Sequence, residues 1–256
     1  MLAEQRHRLI LERLARAGSA SVGELTRSLG VSRETVRRDI AMLAARHRLR
    51  KTRGGALALG SSEADEAARG LVNAAGKRAI GRRAVLRVPD GASLMIDSGT
   101  TTRAVAEALL AKRNLVVYTS DLRIALMLGR HNGNSVVLLG GDLQNHEDAT
   151  VGWDALATLE RYRADFAFVG IGGVAQDGAL TDFTRAGAEL RAAMLRAARA
   201  PIVVADHTKF GRATPVKIAG PGKGVTLIAD RAPPPALARV LGHLGYRLEV
   251  ASAKRG

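Results

Sequence analysis

The chain contains no cysteine. Disulfides and thiolate metal sites are therefore excluded, and nothing demands an oxidising compartment. Aromatic residues make up only 3% of the 256 positions, so any core has to be assembled from Val, Ile, Leu and Ala, a mixture that suits helices laid on a parallel sheet. No apolar run reaches the roughly 18 residues of a membrane span. The N-terminal MLAEQRHRLILERL carries charges at helical spacing where a signal peptide carries a continuous apolar stretch. A cytoplasmic protein without membrane attachment is expected. The six histidines are scattered, with no pair at zinc-binding spacing on a helix, so no metal and no other cofactor is expected.

What is present is a soluble globular composition: 46% apolar residues, 25% charged residues and 28 glycines. The length suits one domain of ordinary size plus a small one. A formal net charge of +15 points to a polyanionic partner, and its distribution is uneven. Residues 1–60 hold 13 Lys/Arg against 5 Asp/Glu, net +8, leaving 26 against 19, net +7, for the other 196. Over half the excess lies in under a quarter of the chain.

Within that basic quarter, Leu9, Ile10, Leu14 and Ala17 form the apolar stripe of an amphipathic helix, with Gly18 as its stop. Ser21, Val22, Gly23, Glu24 reads as a capping box for a short second helix, with Leu25 and Leu29 inward, ending at Gly30. Ser32 then caps a third helix, RETVRRDIAMLAARHRL, residues 33–49. Two helices joined by a tight glycine-containing turn make a helix-turn-helix. In the third, Val36, Ile40 and Leu43 share one side, while Arg33, Glu34, Arg37 and Arg38 lie on the flanks or opposite it. Such a helix can enter the major groove, where Arg reads guanine and Ser or Thr binds phosphate or base edges. Taken alone, a cationic face is as readily a solvated surface; its context favours DNA. Leu49 among Arg46, Arg48, Arg50, Lys51 and Arg53, before Gly54-Gly55, reads as a basic hairpin wing. Residues 1–58 are thus expected to be a winged helix-turn-helix, with Ser32, Arg33, Thr35, Arg37, Arg38 and Arg53 facing DNA.

Residues 59–75 are small, polar and locally acidic, and read as a linker or a mobile helix. From Gly76 a basic amphipathic helix leads into residues 76–256, where SLMID, LVVYTS, SVVLLGG, DFAFVGIGG, PIVVAD, VTLIAD and YRLEV alternate with helical runs. That alternation argues an open, mostly parallel sheet with helices on both faces, an α/β fold. Ligands of such sheets bind beyond the carboxyl ends of the strands. Asp97, Ser98, Gly99, Thr100, Thr101 and Thr102, running straight into a helix, offer close backbone approach, three Thr hydroxyls and a helix N-terminus: a phosphate cradle, or an ordinary strand-to-helix turn. Neither the Walker nor the dinucleotide glycine pattern is present there. Other strand ends add Thr119, Ser120, Gly140, Gly141 and Gly172, with Lys209 to neutralise a phosphate and Asp206 to accept from sugar hydroxyls. Trp153 reads as a packing residue at a helix start. Asp182 and Glu189 could flank a sugar or form surface salt bridges.

The segment SVGELTRSLGVSRETVRRDIAMLAARHRLRKTRGGA resembles the N-terminal domain of the DeoR family of bacterial sugar-metabolism regulators, with its Val-Ser-x-x-Thr-hydrophobic-Arg-Arg-Asp core and a wing ending in Gly-Gly-Ala. DSGTTT, VVYTS, LLGGDL, DFAFVGIGGV, DGALT and ADHTKFGR resemble successive blocks of that family's effector domain, whose fold is similar to ribose-phosphate isomerases and CoA-transferases. Arg53 stands where the family commonly has His, Ser120 where it has Asn, and Arg191 where it has Lys. The resemblance implies a regulator of carbohydrate or polyol catabolism genes that acts as a homodimer or homotetramer. It binds double-stranded operator DNA and responds to a phosphorylated sugar or polyol; ADHTKFGR and DRAPPP point to the glycerol 3-phosphate branch. The competing reading is a sugar-phosphate isomerase with an appended DNA-binding domain, since fold does not settle function. No motif marks a poised base, so no catalytic residue and no enzyme activity is expected.

Overall fold

In the computed structural model, the described residues are 2–17, 19–46, 48–51, 54–58, 66–144, 148–220 and 223–251. The head comprises α1 (Ala3–Ala17), β1 (Ser19–Ser21), α2 (Val22–Leu29), α3 (Arg33–Ala45), β2 (Leu49–Lys51) and β3 (Gly55–Ala58). Ser21 and Glu24 form a reciprocal capping box at the start of α2, and Gly30, at φ 64°, ends it by donating its N–H to Thr26. Ser32 then caps α3 by accepting from the Thr35 N–H at 3.1 Å. Ile10, Leu14, Leu25, Val36, Ile40 and Leu43 meet in one small core with Leu49 and Ala56 of the wing. Each large side chain so buried contributes roughly 1.5–3 kcal/mol.

Three details of the head differ from the sequence reading. Helix α3 ends at Ala45 rather than Leu49, because Leu49 is needed in β2, where it is buried in the same core. Leu9 is exposed; the inward side of α1 is His7, Ile10 and Leu14. The wing gains a third strand, since β1 pairs antiparallel with β3, which also pairs with β2. Gly18 lies outside the described residues.

The remainder begins with α4 (Glu66–Leu71) and α5 (Ala74–Val85); α4 and the start of α5 fall within residues 59–75. Then follow β4 (Ser93–Ile96), α6 (Thr100–Leu109), β5 (Val116–Thr119), α7 (Leu122–Gly129) and β6 (Ser135–Leu138). A hairpin of β7 (Asp142–Gln144) and β8 (Ala149–Val151) leads to α8 (Trp153–Leu159) and β9 (Ala164–Val169). Beyond it come β10 (Gly173–Val174), β11 (Leu180–Asp182), α9 (Arg185–Ala197), β12 (Ala198–Val204), a 3-10 turn (His207–Lys209), β13 (Val216–Lys217), β14 (Thr226–Ala229), α10 (Pro235–His243) and β15 (Arg247–Val250).

Seven strands form one parallel sheet in the order β15-β14-β12-β9-β4-β5-β6. Each contains one of the seven apolar runs of the sequence. Side chains alternate across it as strand geometry requires. Leu94, Ile96, Phe168, Ile202, Val204 and Ile228 pack under α5, α6 and α7, while Met95, Ala167, Val169, Val203 and Leu227 pack under α8, α9 and α10. The small antiparallel sheet β10-β11-β13 and the β7-β8 hairpin have no counterpart in the sequence reading; strands of two or three residues leave no periodicity to detect. Trp153 does not pack at its helix start, being 78% exposed.

Strand order decides where a ligand fits. From β4 the chain steps outward to β5 and β6, then returns to β9 on the other side of β4 and proceeds to β12, β14 and β15. The direction reverses between β4 and β9, and the crevice of such a sheet opens beyond the carboxyl ends of those two strands. Asp97 and Ser98 follow β4, and Gly170 follows β9.

Candidate nucleic-acid interface and ligand cleft

On α3, Arg33, Arg37 and Arg38 are exposed, whereas Thr35 is half-buried with its Oγ1 2.9 Å from Ser32 Oγ. Arg37 lies 3.9 Å from Glu34, an exposed contact too weak to withhold it from a phosphate or base. Arg46, Arg48 and Lys51 continue the exposed basic surface into the wing. Arg53 lies outside the described residues.

The acidic residue following Arg38 has a different task. Asp39 is buried, accepts from Arg6 Nε at 2.8 Å and Nη2 at 3.1 Å, and sits 3.0 Å from His7 Nε2. Burial opposes its ionisation, but the Arg6 and His7 contacts outweigh that and hold the carboxyl below its usual range. This clamp ties α3 to α1, so the exposed arginines project from a fixed platform.

The second site is a cleft of about 150 Å³ at the switch point. One wall is the turn from β4 into α6: Ser98, Gly99, Thr100, Thr101 and Thr102 line it. Gly99 stands at φ 126°, a conformation costly for any residue with a Cβ. No side chain caps α6, so its first N–H groups and positive dipole end face the cleft. Thr102 donates its hydroxyl back to the Gly99 carbonyl at 2.8 Å, while Thr100 is half-buried and Thr101 buried. Asp206, the N-cap of the 3-10 turn, and Lys209, its last residue, also line the cleft. One oxygen of Asp206 is occupied as the cap of that turn, accepting from the Thr208 N–H at 3.0 Å and hydroxyl at 2.5 Å.

Asp97 does not open onto the cleft. Only 2% exposed, it accepts from Arg191 Nε at 2.7 Å and the Gly170 N–H at 3.0 Å. Arg191 also pairs with Asp182. Burial pushes the Asp97 carboxyl up most strongly and the Asp182 charge adds to this, so despite the Arg191 charge it reaches about 6. Asp182 is therefore buried behind the cleft, while Glu189 pairs on the surface with Arg185. Thr119, Ser120, Gly140, Gly141 and Gly172 are not among the residues lining the cleft: Thr119 ends β5, Ser120 follows it and Gly140 and Gly141 follow β6, beyond β4 from the switch point, and Gly172 packs against Thr181 and Thr214.

Sequence reasoning missed four cations that the fold brings here: Arg69, Lys77, Arg191 and Arg212. Lys77, on α5, is 5% exposed and donates from Nζ to the Arg69 carbonyl at 2.5 Å. Burial lowers its ammonium pKa, partly offset by the Asp206 charge and reinforced by Arg69. The Arg212 guanidinium lies 5.2 Å from the centre of the Phe183 ring. Among the described residues, no cluster of His, Asp or Glu is fit to hold a metal, and no helix is long and apolar enough to cross a membrane.

Residues 6–62 match the DeoR-like helix-turn-helix domain, and residues 72–231 match the DeoR C terminal sensor domain. The glycerol-3-phosphate regulon repressor of Escherichia coli (strain K12) is 32% identical over 252 residues, covering 98% of this chain and all of the relative. The repressor of the same name from Haemophilus influenzae is 33% identical, covering 83% of this chain and 84% of its own. The HTH-type transcriptional repressor CsqR of Escherichia coli is 34% identical, covering 91% and 89%. Among solved structures, ribose 5-phosphate isomerase A of Methanocaldococcus jannaschii aligns with 52% of this chain and 53% of its own, at 15% identity and a TM-score of 0.38, a likeness that carries no functional argument. With both parts matched and a relative aligned over almost its whole length, this chain belongs to the DeoR family.

Proposed function

We propose that this chain is a cytoplasmic transcriptional repressor of carbohydrate or polyol catabolism genes whose operator affinity changes when a phosphorylated sugar or polyol, such as glycerol 3-phosphate, enters the cleft. The observation that carries this reading is the cleft itself: the helix start at Thr100 and Thr101, which has no side-chain cap, lines one small cleft together with Lys77 and Lys209. A phosphate dianion gains from the N–H groups, the dipole end and both ammonium groups, whereas the free polyol gains none of the charge terms. Asp206 has a second oxygen to accept from a ligand hydroxyl.

Ser32, Arg33, Thr35, Arg37, Arg38 and Arg53 are the proposed DNA contacts. A homodimer or homotetramer presenting two heads suits a two-half-site operator. Catalysis is disfavoured because Asp97, at the end of β4, is buried and already engaged by Arg191 and Gly170. The experiment is fluorescence anisotropy on an operator duplex with and without sugar and polyol phosphates, run beside a ribose 5-phosphate turnover assay. A ligand-dependent shift in affinity without turnover is expected; turnover without such a shift would reverse the assignment.

A further inference from the structure

We propose that Asp230, which is not among the residues lining the cleft, is its positioning residue: by holding the start of α5 and the 3-10 turn on one carboxylate, it sets the spacing of Lys77 and Lys209 and with it the affinity for a phosphoryl group. The inference rests on the phosphorylated-ligand reading above and adds to it the residue that fixes the dimensions of the site.

The two lysines come from distant parts of the chain. Lys77 stands in the first turn of α5, where its N–H donates to the carbonyl of the N-cap, Asn73, at 3.0 Å. Lys209 is the last residue of the 3-10 turn that His207 begins, and its N–H donates to the Asp206 carbonyl at 3.0 Å. The Asp206 charge raises the Lys77 ammonium pKa against the effect of burial, so the two walls stand within electrostatic reach of each other. Val72, just before Asn73, lines the cleft, and so do Asp206 and Thr208 on either side of His207. Asn73 and His207 are therefore one residue removed from the wall, and both are held by Asp230.

Asp230 directly follows β14, and its side chain is 7% exposed. Oδ1 accepts from the His207 N–H at 2.7 Å, while Oδ2 accepts from Asn73 Nδ2 at 2.8 Å and lies 2.7 Å from His207 Nδ1. Burial opposes ionisation of the carboxyl, but the hydrogen bonds from Asn73 and His207 outweigh that and hold it below its usual range. An ionised carboxylate has no proton to give, so His207 Nδ1 is the donor and the ring becomes a second grip on the turn. The backbone at Asn73 serves the same junction. Asn73 stands at φ 51° and does not cap α5 with its side chain, whose amide goes to Asp230 instead. Gly76 leaves the room for that amide, since a Cβ there would collide with it. Being negative, Asp230 offers an anion nothing of its own, and removing its charge should by Coulomb's law alone tighten anion binding. Weaker binding on its removal is therefore the mark of positioning.

The test is calorimetric titration of the full chain with glycerol 3-phosphate, ribose 5-phosphate, glucose 6-phosphate and fructose 6-phosphate. If none binds the wild type, the proposed function fails before this inference is reached. With whichever binds most tightly, Asp230→Asn should weaken binding about tenfold, whereas in a Lys209→Ala background, where one of the positioned lysines is gone, it should cost no more than about threefold. A general loosening of the fold would instead cost about the same factor in both backgrounds. Asn73→Gly keeps the left-handed backbone without steric cost and removes only the α5 grip. It should weaken binding about threefold, and it decides the question should Asp230→Asn fail to fold. Wild-type or tighter binding in Asp230→Asn overturns the proposal, as does an equal cost in the two backgrounds or wild-type binding in Asn73→Gly.

Discussion

The head and the α/β unit each bury a carboxylate against an arginine, and the two arrangements settle differently. Asp39 is held by both Arg6 and His7 and its carboxyl lies below its usual range, and the arginines of α3 are exposed. Asp97 must share Arg191 with Asp182, and its carboxyl is pushed up to about 6. Lys77, Lys209, Arg69 and Arg212 also line the cleft, and among the described lining residues Asp206 is the carboxylate beside them. The head thus uses buried charge to make a rigid platform for a large polyanion. The α/β unit instead lines a small space with basic side chains, which the proposed function assigns to a small anion.

Breaking the clamp should have the largest consequence. Asp39→Ala removes charge-assisted hydrogen bonds worth about 1.5–3 kcal/mol, and α3 should lose its fixed seat on α1. Operator affinity is expected to fall by roughly 100-fold, while the enthalpy and stoichiometry of ligand binding, read by calorimetry, stay as in the wild type. Loss of both together would mean that the two regions do not act as separate platforms.

Next in size are the exposed arginines. Arg37→Ala or Arg38→Ala should cost about 1–3 kcal/mol in operator affinity where the arginine reads a base. Where it only contacts a phosphate, the slope of log affinity against log salt should become shallower by about 0.9. Anisotropy titrations between 50 and 200 mM salt, on the order of the range over which such slopes are resolved, separate the two. An arginine that changes neither quantity is part of the solvated surface.

The cleft variants come third. Lys209→Ala should weaken binding of the phosphorylated ligand by about tenfold and Thr101→Val by a smaller factor, in keeping with the loss of one charged and one neutral hydrogen bond. Both should leave the salt dependence of operator binding alone.

The smallest effect is on stability against pH, and it has opposite signs in the two regions. The Asp39 carboxyl lies below its unfolded value, so the stability it gives is present above the ordinary carboxylate range and is lost as pH falls through the folded value. The Asp97 carboxyl lies above its unfolded value, so its contribution is fully present below about pH 4 and is lost as pH rises through about 6. Amide exchange read separately over residues 33–43 and 94–97, in the wild type and in Asp39→Asn and Asp97→Asn, checks both signs. Equal pH dependence in the two segments would remove the contrast.

Much of the head was legible because its signals are local. Ser21 with Glu24, Gly30 and Ser32 are caps whose partners lie within four residues, and Val36, Ile40 and Leu43 repeat at helical spacing. The seven runs of the large sheet were legible for the same reason, and with them the strand ends at Ser98 to Thr102 and at Lys209 that line the cleft. What sequence could not show was which strand ends become neighbours. Thr119, Ser120, Gly140 and Gly141 also stand at strand ends, yet the reversal between β4 and β9 leaves them away from the cleft. Lys77 and Arg69 looked like parts of a basic helix and a linker. Only the packing of α4 and α5 beside α6 brings them to the cleft.

The central claim is that a phosphoryl group is what the cleft recognises, and calorimetric titration tests it most directly. The full chain is titrated with glycerol 3-phosphate, ribose 5-phosphate, glucose 6-phosphate and fructose 6-phosphate and with each unphosphorylated parent, in the wild type, Lys209→Ala and Thr101→Val. The account predicts at least one phosphate that binds about 100-fold or more tightly than its parent, a difference of about 2.7 kcal/mol, with that preference reduced in both variants. Equal binding of free and phosphorylated forms, or wild-type affinity in both variants, would contradict it.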